Sequence, residues 1–171
     1  FITRVLELTK VESNELKLNL ESKDINQIIE KSIESFSPIA QSKQIKIQTE
    51  LEPLFPIKVD AALILKVINN LIDNAIKYST ENSTITIRSF EKEGQVHVQI
   101  ADQGVGLKSD EIEHIFTKFY RAKNEATATS AGTGLGLYLT KYFIERHQGF
   151  VDVESQYGKG SVFKIHLPIQ L

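Results

Sequence analysis

The chain has no cysteine. Disulfides and thiolate metal sites are therefore excluded, which fits a reducing compartment. Methionine is also missing and the sequence opens on Phe1, so a piece of a longer protein is expected. No long apolar run occurs. The strongest, Ala61 to Ile68, is too short to span a bilayer and is interrupted by Lys66. Neither a signal peptide nor an internal repeat is visible. A cytoplasmic domain without direct membrane contact is expected, and an anchor elsewhere in the parent protein stays open. Charge of one sign is lacking as well. Lys and Arg number 20 against 22 Asp and Glu, a net of −2, so the whole-molecule field draws in neither nucleic acid nor anionic lipid. A polyanionic ligand would have to be held by local geometry.

What is present reads as one soluble globular domain. Its 171 residues are 41% hydrophobic and 25% charged, enough for a single core. From Phe1 to Glu15, apolar residues at helical spacing predict the end of a longer helix. Leu16, Leu18 and Leu20 alternate with polar residues and predict a half-buried strand. A second helix is expected from the N-cap candidate Asp24, with Pro38 near its far end. Ile45 and Ile47, then Ile57 and Val59, suggest short strands around the Pro53/Pro56 turn. A third helix is expected over Asp60 to Tyr78. Two strands joined at Gly94 follow, then a short helix at Asp110 to Ile115, a fourth helix at Gly134 to His147, and two closing strands. Every clear strand alternates, so each buries one face. The fold class implied is α+β: a two-layer α/β sandwich, its mixed sheet covered by helices on one face, preceded by a helical stub.

Three segments carry candidate chemistry. On the third helix, Ile64, Ile68, Leu71 and Ala75 form a core stripe. Lys66, Asn70, Asn74 and Lys77 form a polar arc beside it. An amide oxygen can ligate Mg²⁺ and an ammonium can meet phosphate, although such an arc on an isolated helix is more simply a solvated face. The segment Asp102-Gln103-Gly104-Val105-Gly106 follows a strand. Its carboxylate could accept from an exocyclic amine and its glycines could admit a flat base, or the segment could be an ordinary turn. The loop Gly132-Thr133-Gly134-Leu135-Gly136-Leu137 opens into a helix, where free N–H groups favour an anion. Its glycine spacing matches neither the dinucleotide fingerprint nor the P-loop, and a helix cap would explain it too. Between the loops, Phe116 to Arg121 combines aromatic anchors with Lys118 and Arg121, which are available to phosphate.

Taken together and in order, these segments resemble the N, G1, F and G2 boxes of the catalytic and ATP-binding domain of sensor histidine kinases. That family belongs to the superfamily that also contains gyrase, the mismatch-repair ATPases and the ninety-kilodalton heat-shock chaperone. The tail from Gly158 to Pro168 is also similar, so the resemblance covers essentially the whole chain. It implies a Bergerat-type fold over residues 16–171, an ATP lid over 121–133, and a residue 1–15 stub from the dimerisation helix. It further implies that Asp102 holds the adenine amine, with Gly104 and Gly106 beside it. Asn74 would ligate Mg²⁺ with Asn70 adjacent. Lys77, Tyr78, Tyr120 and Arg121 would contact the nucleotide, and the backbone of Gly132, Thr133, Gly134, Leu135, Gly136 and Leu137 would cradle the phosphates. The cofactors implied are ATP and Mg²⁺. The partners implied are the parent's own phosphoacceptor hairpin, a response-regulator receiver domain and a second copy of the parent.

Members that hydrolyse ATP carry a Glu where this chain has Asn70, and an amide cannot take a proton from water. Transfer to a neutral imidazole needs no such base. The acceptor-histidine box itself is missing. His97, His114, His147 and His166 all lack its context and are expected to be ordinary surface residues. The chain is therefore not expected to phosphorylate itself. Two other readings stay open, a nucleotide-gated interaction module and a serine kinase of the anti-sigma type.

Overall fold

The computed structural model describes residues 2–123 and 132–169. Helix α1 (Ile2–Glu12) leads to a short strand β1 (Glu21–Lys23) and helix α2 (Ile25–Ser42). Next come β2 (Lys46–Leu51), β3 (Ile57–Val59), helix α3 (Ala61–Tyr78) and the strands β4 (Thr84–Lys92) and β5 (Gln95–Ala101). A short helix α4 (Ser109–Ile112), helix α5 (Gly136–Arg146) and the strands β6 (Phe150–Gln156) and β7 (Gly160–Pro168) complete the order.

The main sheet runs β2-β4-β5-β7-β6. Strands β2 and β4 are parallel and the remaining pairs antiparallel, so the sheet is mixed. Its central strands bury alternate residues. Ile85 and Ile87, then Val96, Val98 and Ile100, then Phe163, Ile165 and Leu167 face the core. Against that face, α3 supplies Ile64, Val67, Ile68, Leu71, Ile72 and Ile76, each 2% exposed or less. Each such side chain contributes about 1.5–3 kcal/mol of burial free energy. The expected two-layer α+β architecture is thus the one observed.

Local signals set most element ends. Asp24 accepts the Asn26 N–H at 2.9 Å and caps α2, which continues through Pro38 to Ser42. Asp60 caps α3 by accepting the Leu63 N–H at 3.2 Å. Glu93 and Gly94 both have positive φ, the two-residue turn that suits the twist of the β4–β5 hairpin.

Two expectations need correction. Residues 15–20 form no strand; the only ladder nearby is β1, pairing antiparallel with β3 in a separate two-stranded sheet. The leucine alternation reflects packing without a ladder, since Leu16 and Leu18 rest on the core. The backbone there is held by side chains instead. The Asn19 N–H donates to Asp60 Oδ2 at 3.0 Å, and Arg146 donates to the Leu16 carbonyl at 3.0 Å.

The second correction concerns histidine. His147 is 1% exposed. Its Nε2 accepts the Asp60 N–H at 3.0 Å, so its Nδ1 carries the proton donated to the Phe143 carbonyl, 2.7 Å away. His97 and His166 are half-buried neighbours on the open sheet face, with their Nδ1 atoms 2.9 Å apart. Phe90 stacks on His97 and Phe150 on His166, while His166 Nε2 lies 2.6 Å from Asp152 Oδ1. Only His114 is exposed.

Candidate functional site

One cleft gathers most of the residues singled out in the sequence. It is bounded by α3, the loop after β5, the segment after α4 and the N-terminus of α5, and encloses about 890 Å³ of empty space with its open mouth included. Of the residues that the resemblance assigns to the nucleotide, all but Gly104, Thr133 and Leu135 line it. The lid expectation falls mostly on residues 124–131, which lie outside the described residues.

Asp102 sits where β5 ends. Its main chain continues the sheet, donating to the Ser161 carbonyl at 2.9 Å. Its Oδ1 accepts the Gly104 N–H at 2.9 Å and the Ser161 N–H at 3.3 Å. Burial raises the carboxyl pKa above its ordinary value of 3.8, and these two main-chain donors oppose the rise. A half-buried carboxylate with one oxygen fixed is suited to hold an amine by the other.

Protein contacts alone require glycine at four of these positions. A Cβ on Gly104 would stand 2.2 Å from the Tyr78 carbonyl oxygen, and one on Gly106 2.1 Å from that of Gln156. The loop is thus clamped between the C-terminus of α3 and the β6–β7 turn. Val105 N–H donates to the Tyr78 carbonyl at 3.3 Å, and Gly158 N–H to the Val105 carbonyl at 2.6 Å. In the second loop, a Cβ on Gly134 would meet the Phe119 backbone at 2.6 Å, and one on Gly136 would meet Asn70 Oδ1 at 2.2 Å. The close approach of α5 to α3 therefore requires glycine at position 136.

Asn70 and Asn74 occupy successive turns of α3, and both reach the cleft. Asn70 is 8% exposed, and its amide is oriented by Thr140 of α5, whose Oγ1 accepts from Asn70 Nδ2 at 3.1 Å. Its carbonyl oxygen is thereby left for other donors. Lys77 also lines the cleft, paired with Asp73 at 2.9 Å. Asn74 Oδ1 is a hard oxygen donor of the kind Mg²⁺ takes, and the cleft leaves room for water and phosphate oxygens to complete its shell.

Helix α5 starts without a side-chain cap on its first turn. Thr133 Oγ1 instead accepts the Leu135 N–H at 3.2 Å. Gly136 and Leu137, the first residues of α5, line the cleft, and N–H groups at such a position have no intrahelical partner and suit an anion. The Leu135 side chain points the other way, fully buried in the core. Arg121 lies beside the loop; a Cβ on Gly132 would be 3.5 Å from its Nε.

Two cations expected to be available are engaged elsewhere. Lys66 pairs with Glu7 of α1, and Lys118 pairs with Glu12 and lies over the Tyr138 ring. Neither lines the cleft. Conversely, Arg4 and Thr140 carry no recognisable motif and Ser161 has no assigned role within its tail segment, yet all three touch the candidate residues. Nothing in a single sequence links positions so far apart.

Residues 59–171 match the family model described as histidine kinase-, DNA gyrase B- and HSP90-like ATPase. The sensor-like histidine kinase SenX3 of Mycolicibacterium smegmatis is 29% identical over 167 residues, covering 98% of this chain and 44% of that protein. Full-length ShkA in complex with AMPPNP superposes with a TM-score of 0.88 at 26% identity, over 99% of this chain and 35% of that one. The catalytic domain of the histidine kinase ThkA superposes with a TM-score of 0.78 at 26% identity, over 90% and 99%. The chain spans less than half the length of such curated relatives. No helix among the described residues is long and apolar enough to cross a membrane. The chain belongs to the histidine kinase-, DNA gyrase B- and HSP90-like ATPase family, on the branch formed by the catalytic domains of sensor histidine kinases.

Proposed function

We propose that this chain binds Mg²⁺-ATP in the cleft and directs its γ-phosphoryl group to a histidine on the helical hairpin of its parent protein. The phosphoryl group then passes to an aspartate of a receiver domain. The carrying observation is the distribution of polar groups along the cleft. Asp102 is the one carboxylate among the described lining residues, and it lies at the Tyr78 end of α3. Asn70, Asn74 and the uncapped start of α5 line the rest. That grading fits adenine at one end and phosphates at the other, and AMPPNP in the ShkA complex is a ligand of that kind.

In this reading, Asp102 Oδ2 accepts from the adenine amine, while the N–H groups of α5, Lys77 and Arg121 neutralise the phosphates. Asn74 would hold Mg²⁺, which supplies charge neutralisation between the phosphates when bound. Asn70 supports transfer over hydrolysis. Its amide cannot accept a proton, so no described side chain at that end of the cleft is a base for attacking water. An imidazole nitrogen attacks the γ-phosphorus unaided, the P–O bond to ADP breaks, and the chain's contribution is positioning and electrostatics. The parent acts as a homodimer on the cytoplasmic side, with residues 1–15 as the end of its dimerisation helix.

The test mixes this chain with a separately made phosphoacceptor hairpin and γ-labelled ATP. Acid-labile label should appear on the hairpin histidine, only with Mg²⁺, and none on this chain. Demonstrated nucleotide binding with no histidine label would leave a nucleotide-gated module. Label on serine would mark the anti-sigma type of chemistry.

A further inference from the structure

Helix α1 does more than lead into the domain. One face of it, Arg4, Glu7 with Leu8, and Val11, recurs at helical spacing and lies against the body of the protein. Leu8 and Val11 are buried. Glu7 pairs with Lys66 of α3, and Glu12 pairs with Lys118. With the helix so fastened, half-buried Arg4 reaches the cleft wall. Its guanidinium donates to Asn70 Oδ1 at 3.4 Å and to Thr133 Oγ1 at 3.5 Å.

The location of that contact matters. The loop carrying Asp102 is clamped to the Tyr78 carbonyl. Asn70 lies two turns earlier on the same helix, about 12 Å along its axis. Arg4 thus stands at the far end of the cleft from Asp102, beside the glycine loop. Both of its contacts are long and go to neutral oxygens. A guanidinium has further donors in a planar fork that matches a phosphate, and it stays charged at any working pH.

We propose that Arg4 contacts the terminal phosphate of a bound nucleoside triphosphate, so that docked α1 completes the triphosphate end of the site. This rests on the nucleotide reading of the cleft given above. By linkage, a triphosphate then strengthens the docking of α1 by the same factor that α1 strengthens triphosphate binding, and a diphosphate does not.

Calorimetry with Mg²⁺-ATP and Mg²⁺-ADP on the unaltered chain, Arg4→Ala and Arg4→Lys tests this, with melting curves to show that each variant is folded. Arg4→Ala should weaken ATP by about tenfold, a charge-assisted hydrogen bond's worth, and ADP by about twofold or less. Arg4→Lys, which keeps the charge without the fork, should fall between. Glu7→Gln loosens α1 without altering the cleft and should weaken ATP selectively, by less than Arg4→Ala. In the unaltered chain, amide exchange in α1 should be slower with ATP than with ADP. Equal losses for both nucleotides would overturn the terminal-phosphate contact, as would unchanged or tighter ATP binding by Arg4→Ala. Failure of the unaltered chain to bind either nucleotide would instead overturn the cleft reading and this proposal with it.

Discussion

Asp102 has one oxygen committed to two main-chain donors, so a proton acquired by this carboxyl goes to Oδ2. That is the atom assigned to the adenine amine, and protonation turns it from acceptor to donor. Since burial raises this pKa above 3.8, nucleotide affinity should fall as pH drops, beginning at higher pH than an ordinary aspartate would dictate. The sign follows from which state binds: the amine prefers the ionised form, so the nucleotide pulls the pKa down and acid opposes it. Calorimetry between pH 7.5 and 4.5 checks this against Asp102→Asn. The variant should bind about 1–3 kcal/mol more weakly at neutral pH and lose the acid-dependent decline that is specific to residue 102. Equal pH dependence in both proteins would remove Asp102 from the adenine role. At this scale the sequence was informative because Asp102 and its glycines are contiguous. It was uninformative about why glycine is needed. The clashing carbonyls belong to Tyr78 and Gln156, which only the fold brings near.

Elements were legible where their signals are local. Asp24, Asp60 and the Glu93-Gly94 turn each act within a few residues, and each marks the boundary it suggests. The Leu16 to Leu20 alternation misled because a period of two registers facing, not hydrogen-bond partners. His147 misled for a related reason. It ends α5, as its position suggests, but its ring is buried and accepts the Asp60 N–H at the start of α3. One imidazole therefore joins two helix ends. Burial depresses its pKa below 6.5, only partly offset by the Phe143 carbonyl and Asp60. The unfolded chain thus takes up a proton at higher pH than the folded one. Its stabilising contribution is fully present above 6.5 and is lost as pH falls through the depressed folded value. Urea unfolding of His147→Gln should show a loss of about 1–3 kcal/mol at pH 7.5. Below pH 6.5 its pH slope should be shallower than that of the unaltered protein, by up to about 1.4 kcal/mol per pH unit. Parallel slopes would show that His147 does not titrate with unfolding.

At the scale of the whole molecule, α3 packs its apolar stripe on the sheet and turns Asn70 toward α5, while the β5 loop and β7 present Asp102 from the side. The layered architecture was readable from alternation and helical period. The strand order, with β7 between β5 and β6, and the docking of α1 were not, because both depend on contacts between distant positions. A site assembled from so many separate elements couples ligand binding to global stability. At a nucleotide concentration about a hundred times its dissociation constant, linkage adds about 2.7 kcal/mol to the folded state. For a chain of this length each kcal/mol raises the melting temperature by about 2–4 °C. Mg²⁺-ATP should therefore raise it by about 5–10 °C. Mg²⁺-GTP at equal concentration should do far less, because guanine presents a carbonyl oxygen where adenine presents the amine, and two acceptors would then face each other at Asp102. Equal shifts with both nucleotides would mean that the phosphates alone are recognised, and no shift with either would mean that the cleft does not hold a nucleotide.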